Sequence, residues 1–120
     1  MDLNEPDFIY KYDDRLVRFA GECVFFFRTM TRDEAGSYYG NQLLRSSGSS
    51  CLNFGEAQGT ITTKDFLAKL TIVNRELKES RNNLKVLVYI SEGDTEKRTW
   101  LIKEVEELIA ISTTMIKNKQ

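Results

Sequence analysis

The feature that most constrains this chain is a row of seven positions, Phe66, Leu70, Val73, Leu77, Ser80, Leu84 and Leu87, recurring in alternating steps of four and three. That rhythm returns each residue to one face of an α-helix, whereas a strand alternates its side chains with period two. It holds for about three heptads, so it specifies a long helix with a packed seam over about Thr63 to Ile90. Thr62 with Asp65 three residues on forms a capping box at its start, and Glu92, Gly93 and Asp94 make a turn after its end.

Three further segments follow the same logic. Leu16, Ala20, Cys23, Phe27 and Met30 predict a first helix over about Asp13 to Met30. Thr31 and Glu34 form a capping box for a second helix, from about Asp33 to Gln58, ended by Gly59. One of its stripes is Leu43, Ser47, Ser50, Phe54 and Ala57, and the adjacent one is Leu44, Gly48, Cys51 and Gly55. Glycine inside a helix costs about 1 kcal/mol against alanine, so Gly48 and Gly55 predict a compensating close helix contact; a loop over Ser46 to Ser50 is the competing reading. Asp94 or Thr95 caps a fourth helix carrying Leu101, Val105, Leu108, Ser112 and Met115, with Lys117 and Lys119 suiting its C-terminal dipole. Four amphipathic helices on short connections predict an all-α, antiparallel, up-down-up-down four-helix bundle. It is read as one domain over residues 1–120, with a flexible tail at residues 1–12.

Composition narrows the chemistry. With 120 residues, 41% of them hydrophobic, 29% charged and one proline, the chain can bury its own core and is neither disordered nor a disulfide scaffold. The acidic stretch Met1 to Asp14 has no apolar run of signal-peptide or membrane-span length, so a cytoplasmic protein without membrane attachment is expected. Cys23 and Cys51 then read as small buried hydrophobes. Seventeen basic residues against eighteen acidic ones leave a net charge of -1 and no bulk attraction to nucleic acid. Histidine is absent, which removes the commonest catalytic base and metal ligand. Asn53 with Glu56, and Glu76 with Glu79, invite an acid–base or metal reading, but a di-metal bundle needs Glu-x-x-His pairs. Ser46, Ser47, Ser49 and Ser50 have no nearby base and no Gly-x-Ser-x-Gly, and no phosphate loop is present. No enzyme activity, metal or cofactor is expected. Arg45, Asn53 and Glu56 are instead structural polar residues, with Glu56 paired to Arg45, to a base on helix three, or to Asn53.

Two surface features remain. Phe25, Phe26 and Phe27 are consecutive and spread over roughly 200° of a helix, so they cannot share one core. Ile102, Ile109 and Ile116 recur at steps of seven beside the fourth helix's own stripe. Phe25, Phe26, Ile102, Ile109 and Ile116 are therefore the expected interface of a homo-oligomer, a thick single-chain core being the competing explanation. On helix three, Lys64, Lys78 and Lys85 share a heptad phase with Arg75 and Asn82 nearby. This row is either a nucleic-acid-binding stripe or a solvated charged face, and Glu76 and Glu79 interrupt it.

The run from Gly40 to Gly59, with its Gln42-Leu43-Leu44-Arg45 and Asn53-Phe54-Gly55-Glu56-Ala57 elements, resembles the four helix bundle proteins of the 23S rRNA-intervening-sequence family. So do Lys64-Asp65-Phe66, Lys69-Leu70 and Arg75-Glu76-Leu77-Lys78-Glu79-Ser80, and the likeness extends from Leu16 to about Leu108. The resemblance implies a left-handed bundle, assembly as a homopentamer, a bacterial cytoplasmic setting and a link to RNA or DNA. Relatives include accessory proteins of diversity-generating retroelements. A protein partner carried by such a ring is the rival implication.

Overall fold

The computed structural model describes residues 6–120. Four helices run in chain order: α1 Pro6–Phe27, α2 Glu34–Gln58, α3 Thr63–Tyr89 and α4 Thr95–Lys119. Each packs against its neighbours in sequence, and α1 closes the ring against α4. Cross-helix bonds show the antiparallel sense directly. Gln58 reaches Asp13 while Tyr12 and Arg15 meet Leu108 and Glu104; Arg45 meets Glu79 while Glu56 meets Lys69. As residue numbers rise on α1 they fall on α4, and the same holds between α2 and α3 and, through Asn74–Ser112 and Arg81–Glu106, between α3 and α4. The result is an elongated four-helix bundle, 44 × 24 × 19 Å. No described helix is long and apolar enough to cross a membrane.

The predicted stripes of α2, α3 and α4 form the core, with Leu43, Ser47, Ser50, Phe54 and Ala57 facing Leu70 to Leu87 and Leu101 to Met115, and with Phe66 half-buried at the edge. Residues 46–50 are helical, so the loop reading fails there. Helix one differs in two respects. It begins at Pro6, so the expected tail is helix from residue 6 onward; residues 1–5 lie outside the described residues. Its buried stripe is Tyr12, Leu16, Phe19, Cys23 and Phe26, continued by Met30 in the connection beyond its end, while Ala20 and Phe27 are only half-buried. Both phases contain Leu16, Cys23 and Met30, and the one taken buries Tyr12, Phe19 and Phe26. Phe26 fits because Gly93, at φ +72°, brings backbone so close that an added Cβ would lie 2.5 Å from its ring. Tyr12 meets Phe54 edge to face at 5.0 Å.

Several buried polar groups are partnered across the seams, while the Arg81 Nε is buried without a hydrogen-bond partner. The Tyr12 hydroxyl donates to the Leu108 carbonyl at 2.7 Å, and burial pushes its ionisation well above the ordinary tyrosine range. Ser46 and Ser80 hydroxyls pair at 2.7 Å, and Asn74 donates to Ser112 at 2.7 Å. Such groups are costly unless satisfied, so they favour this register over slipped alternatives.

The connections differ in character. Helix α2 is capped by Asp33, whose carboxylate accepts from Gly36 N at 2.8 Å, rather than by Thr31. Thr31 instead donates its amide (3.1 Å) and its hydroxyl to the buried carboxylate of Glu92. Helix α3 ends in a Schellman turn: Ser91, at φ +57°, donates to Val88 O, and Glu92 N donates to Leu87 O. That turn aims Glu92 at Thr31. Arg98 donates to the Glu92 carbonyl at 2.6 Å, and Asp94 N donates to Thr29 Oγ1 at 2.9 Å. The α1–α2 and α3–α4 connections are thus bonded to each other.

Candidate nucleic-acid interface

The outward face of α3 runs Lys64, Ala68, Thr71, Arg75, Lys78, Asn82, Lys85 and Tyr89, in steps of four and three opposite the core seam. All eight are exposed. The face is about 37 Å long at 1.5 Å per residue, and Lys78 and Lys85 stand about 10 Å apart along it. Among the described residues none of its four cations makes an ion pair.

The acids expected to interrupt this stripe are turned away from it. Glu76 is buried and accepts from Arg45 Nη1 at 3.1 Å, and Glu79 accepts from Nη2 of the same guanidinium. Glu79 stands four residues after Arg75, the spacing at which the two would ordinarily pair. Arg45 draws it toward α2. On the other flank, Arg81 lies 3.6 Å from Glu106 of α4. Lys64, Arg75, Lys78 and Lys85 therefore face solvent as a local positive row on a chain of net charge -1.

The structural polar residues separate into two sites. Arg45 holds Glu76 and Glu79, whereas Glu56 pairs with Lys69 at 2.6 Å. Of the three partners open to Glu56, the base on helix three is the one it takes. Asn53 donates to Ser49 O at 2.9 Å and to Ser49 Oγ at 3.0 Å, within its own helix. Sequence reasoning missed the Arg15–Glu104 pair, bonded at 2.7 and 3.1 Å across α1 and α4, because residues 89 apart carry no spacing signal. Among the described residues no group of three Cys, Asp or Glu side chains gathers to hold a metal ion.

The expected oligomer interface is corrected in part. Phe26 is 0% exposed and Ile109 7%, so both belong to the chain's own core. Ile102 and Ile116 are half-buried against that core. Phe25 stays 50% exposed, and further exposed apolar residues lie on α1, where Tyr10, Val17 and Val24 stand at steps of seven, at Tyr38 and Leu52 of α2, at Ile61, and at Val88 to Ile90 at the end of α3. The close contact expected at Gly48 and Gly55 is also absent within the chain: an added Cβ at either would meet nothing within 4 Å. Close approach occurs at Gly40, where a Cβ would lie 2.6 Å from the Phe27 ring.

Comparison with known proteins places the fold. No family model matches the chain, and no curated protein matches it. A solved structure of a protein with unknown function from the S23 ribosomal protein family of Bacteroides thetaiotaomicron superposes with a TM-score of 0.81. The alignment covers 91% of this chain and 97% of that one at 23% identity, a likeness that carries the bundle architecture.

Proposed function

We propose that this chain is a non-enzymatic, cytoplasmic, homo-oligomeric four-helix bundle of the intervening-sequence type that binds nucleic-acid phosphates along α3. The observation that supports it is the exposed face of Lys64, Arg75, Lys78 and Lys85, whose neighbouring carboxylates Glu76 and Glu79 are paired with Arg45 of α2. Self-association is supported by the exposed Tyr10, Val17, Val24 and Phe25. A pentamer is the stoichiometry implied by the sequence resemblance, and a ring would repeat the basic row and multiply weak contacts by avidity. The buried serines fit a structural role, since Ser50 donates to the Ser47 carbonyl and Ser46 pairs with Ser80.

Fluorescence anisotropy with labelled RNA and DNA at two salt concentrations tests the phosphate reading. Affinity is expected to fall with salt at a log–log slope of roughly -0.7 per contacted phosphate for single strands. Replacing Lys78 and Lys85 together by alanine flattens that slope. An unchanged slope in the double variant, or no binding at low salt, makes a protein-interaction scaffold without nucleic acid the better reading, in keeping with the net charge of -1. Light scattering after size exclusion tests assembly, and a mass near the 13.9 kDa of one chain would refute it.

A further inference from the structure

We propose that the ligand of the α3 face is a single-stranded nucleic acid, one of whose bases stacks on Tyr89; this rests on the phosphate-binding reading above. Tyr89 is 90% exposed, with Val88 at 41% and Ile90 at 43% on either side. The ring follows Arg75 and Asn82 at steps of seven and stands one turn beyond Lys85, about 6 Å along the axis, so it terminates the cationic row itself. A tyrosine held in water gains nothing for the fold. Placed after a line of lysines, it offers a flat π-surface where a bound strand would next present a base.

The end of α3 reinforces this division. Carbonyls at a helix C-terminus carry a partial negative charge, which repels a phosphate but not a neutral base. Lys78 and Lys85 are thus placed for the backbone and Tyr89 for the base. The interior base pairs of a duplex leave the ring no free face, because they already stack on one another, whereas an unpaired strand has free base faces along its length.

The test is an anisotropy titration of the full chain with a labelled unstructured polyuridine strand and a duplex of equal length. Wild type is compared with Tyr89→Ala, Tyr89→Phe and the Lys78→Ala/Lys85→Ala double variant. Circular dichroism verifies each fold, and Tyr89, being exposed, supports no core contact that its loss would undo. Tyr89→Ala is expected to weaken single-strand binding about tenfold or more, Tyr89→Phe to stay within about twofold, and duplex binding to be unmoved. The salt slope of Tyr89→Ala stays at the wild-type value, since no cation is removed. Unchanged strand affinity in Tyr89→Ala, or an equal loss for duplex, overturns the stacking inference. If the lysine pair still matters in that case, the phosphate reading stands alone; if wild type binds neither ligand, both fall.

Discussion

Two glycines on the same helix should respond in opposite ways to the same substitution. At Gly40 an alanine Cβ would lie 2.6 and 2.7 Å from Phe27 ring carbons and 3.2 Å from the Met30 methyl. Carbon atoms pack at about 3.5–4.0 Å, so the ring must retreat by roughly 1 Å and give up part of its contact with α2. Overpacking of this kind costs about 1–3 kcal/mol, and alanine's better helix propensity returns about 1 kcal/mol. A net loss of about 1 kcal/mol follows. Gly48 meets nothing within 4 Å, so alanine there keeps the propensity gain, about 0.5–1 kcal/mol. For a chain of this size each kcal/mol moves the melting midpoint by about 4 °C, which separates the two variants clearly. Urea and thermal unfolding followed by circular dichroism, with light scattering on the same samples, read the result. If Gly40→Ala proves as stable as Gly48→Ala, the packing argument is wrong. Destabilisation at Gly48 with unchanged mass would equally refute it, whereas destabilisation with a fall in mass would put Gly48 between copies.

Arg45→Ala should cost about 1–2 kcal/mol by urea unfolding, less than for a fully buried pair because the guanidinium is half-exposed while Glu76 is left unpaired. It should also weaken RNA binding through the released Glu79, and adding Glu76→Gln should recover stability. Burial pushes the Cys23 thiol up to about 12, so a thiol reagent should label it only on denaturation, while the half-buried Cys51 reacts sooner. The unfolded chain releases that proton from about pH 9, so stability should decline from there toward pH 12, as pH-jump unfolding would read. Ser91→Gly should stabilise the fold by about 0.5–1 kcal/mol, because Ser91 holds a left-handed conformation that glycine adopts freely; a lower urea midpoint would contradict this.

The core seam of α3 was legible because it carries one unbroken 4-3 stripe, and on α2 and α4 the stripe richest in large apolar residues went inward, with Ile109 joining it from the neighbouring row. Helix α1 was not legible, since Ala20 with Phe27 and Phe19 with Phe26 both complete the pattern set by Leu16, Cys23 and Met30. The space beside Gly93 for Phe26 and the contact of Tyr12 with Phe54 select between them. The consecutive phenylalanines correctly signalled more apolar residues than one face can hold, yet which ring goes inward depends on the neighbour's shape. On α3 the cations were legible and the fate of Glu76 and Glu79 was not. Their partner sits more than thirty residues away on α2, where no local spacing announces it.

The bonding of Thr31 and Thr29 to Glu92 and Asp94 gives the bundle a stitched end and a plain one. At the far end, the α2–α3 connection is held by short-range bonds to its own helix, such as Thr60 to the Ala57 carbonyl, and Ile61 stands 98% exposed. Lengthening that loop costs only about 0.6 kcal/mol per doubling. An insertion near residue 31 or 92 would unpick a buried carboxylate from two connections at once. The architecture is therefore polarised for growth: new sequence, an added recognition loop or a fused domain can be accommodated at Ile61, while the stitched end holds the register of all four helices.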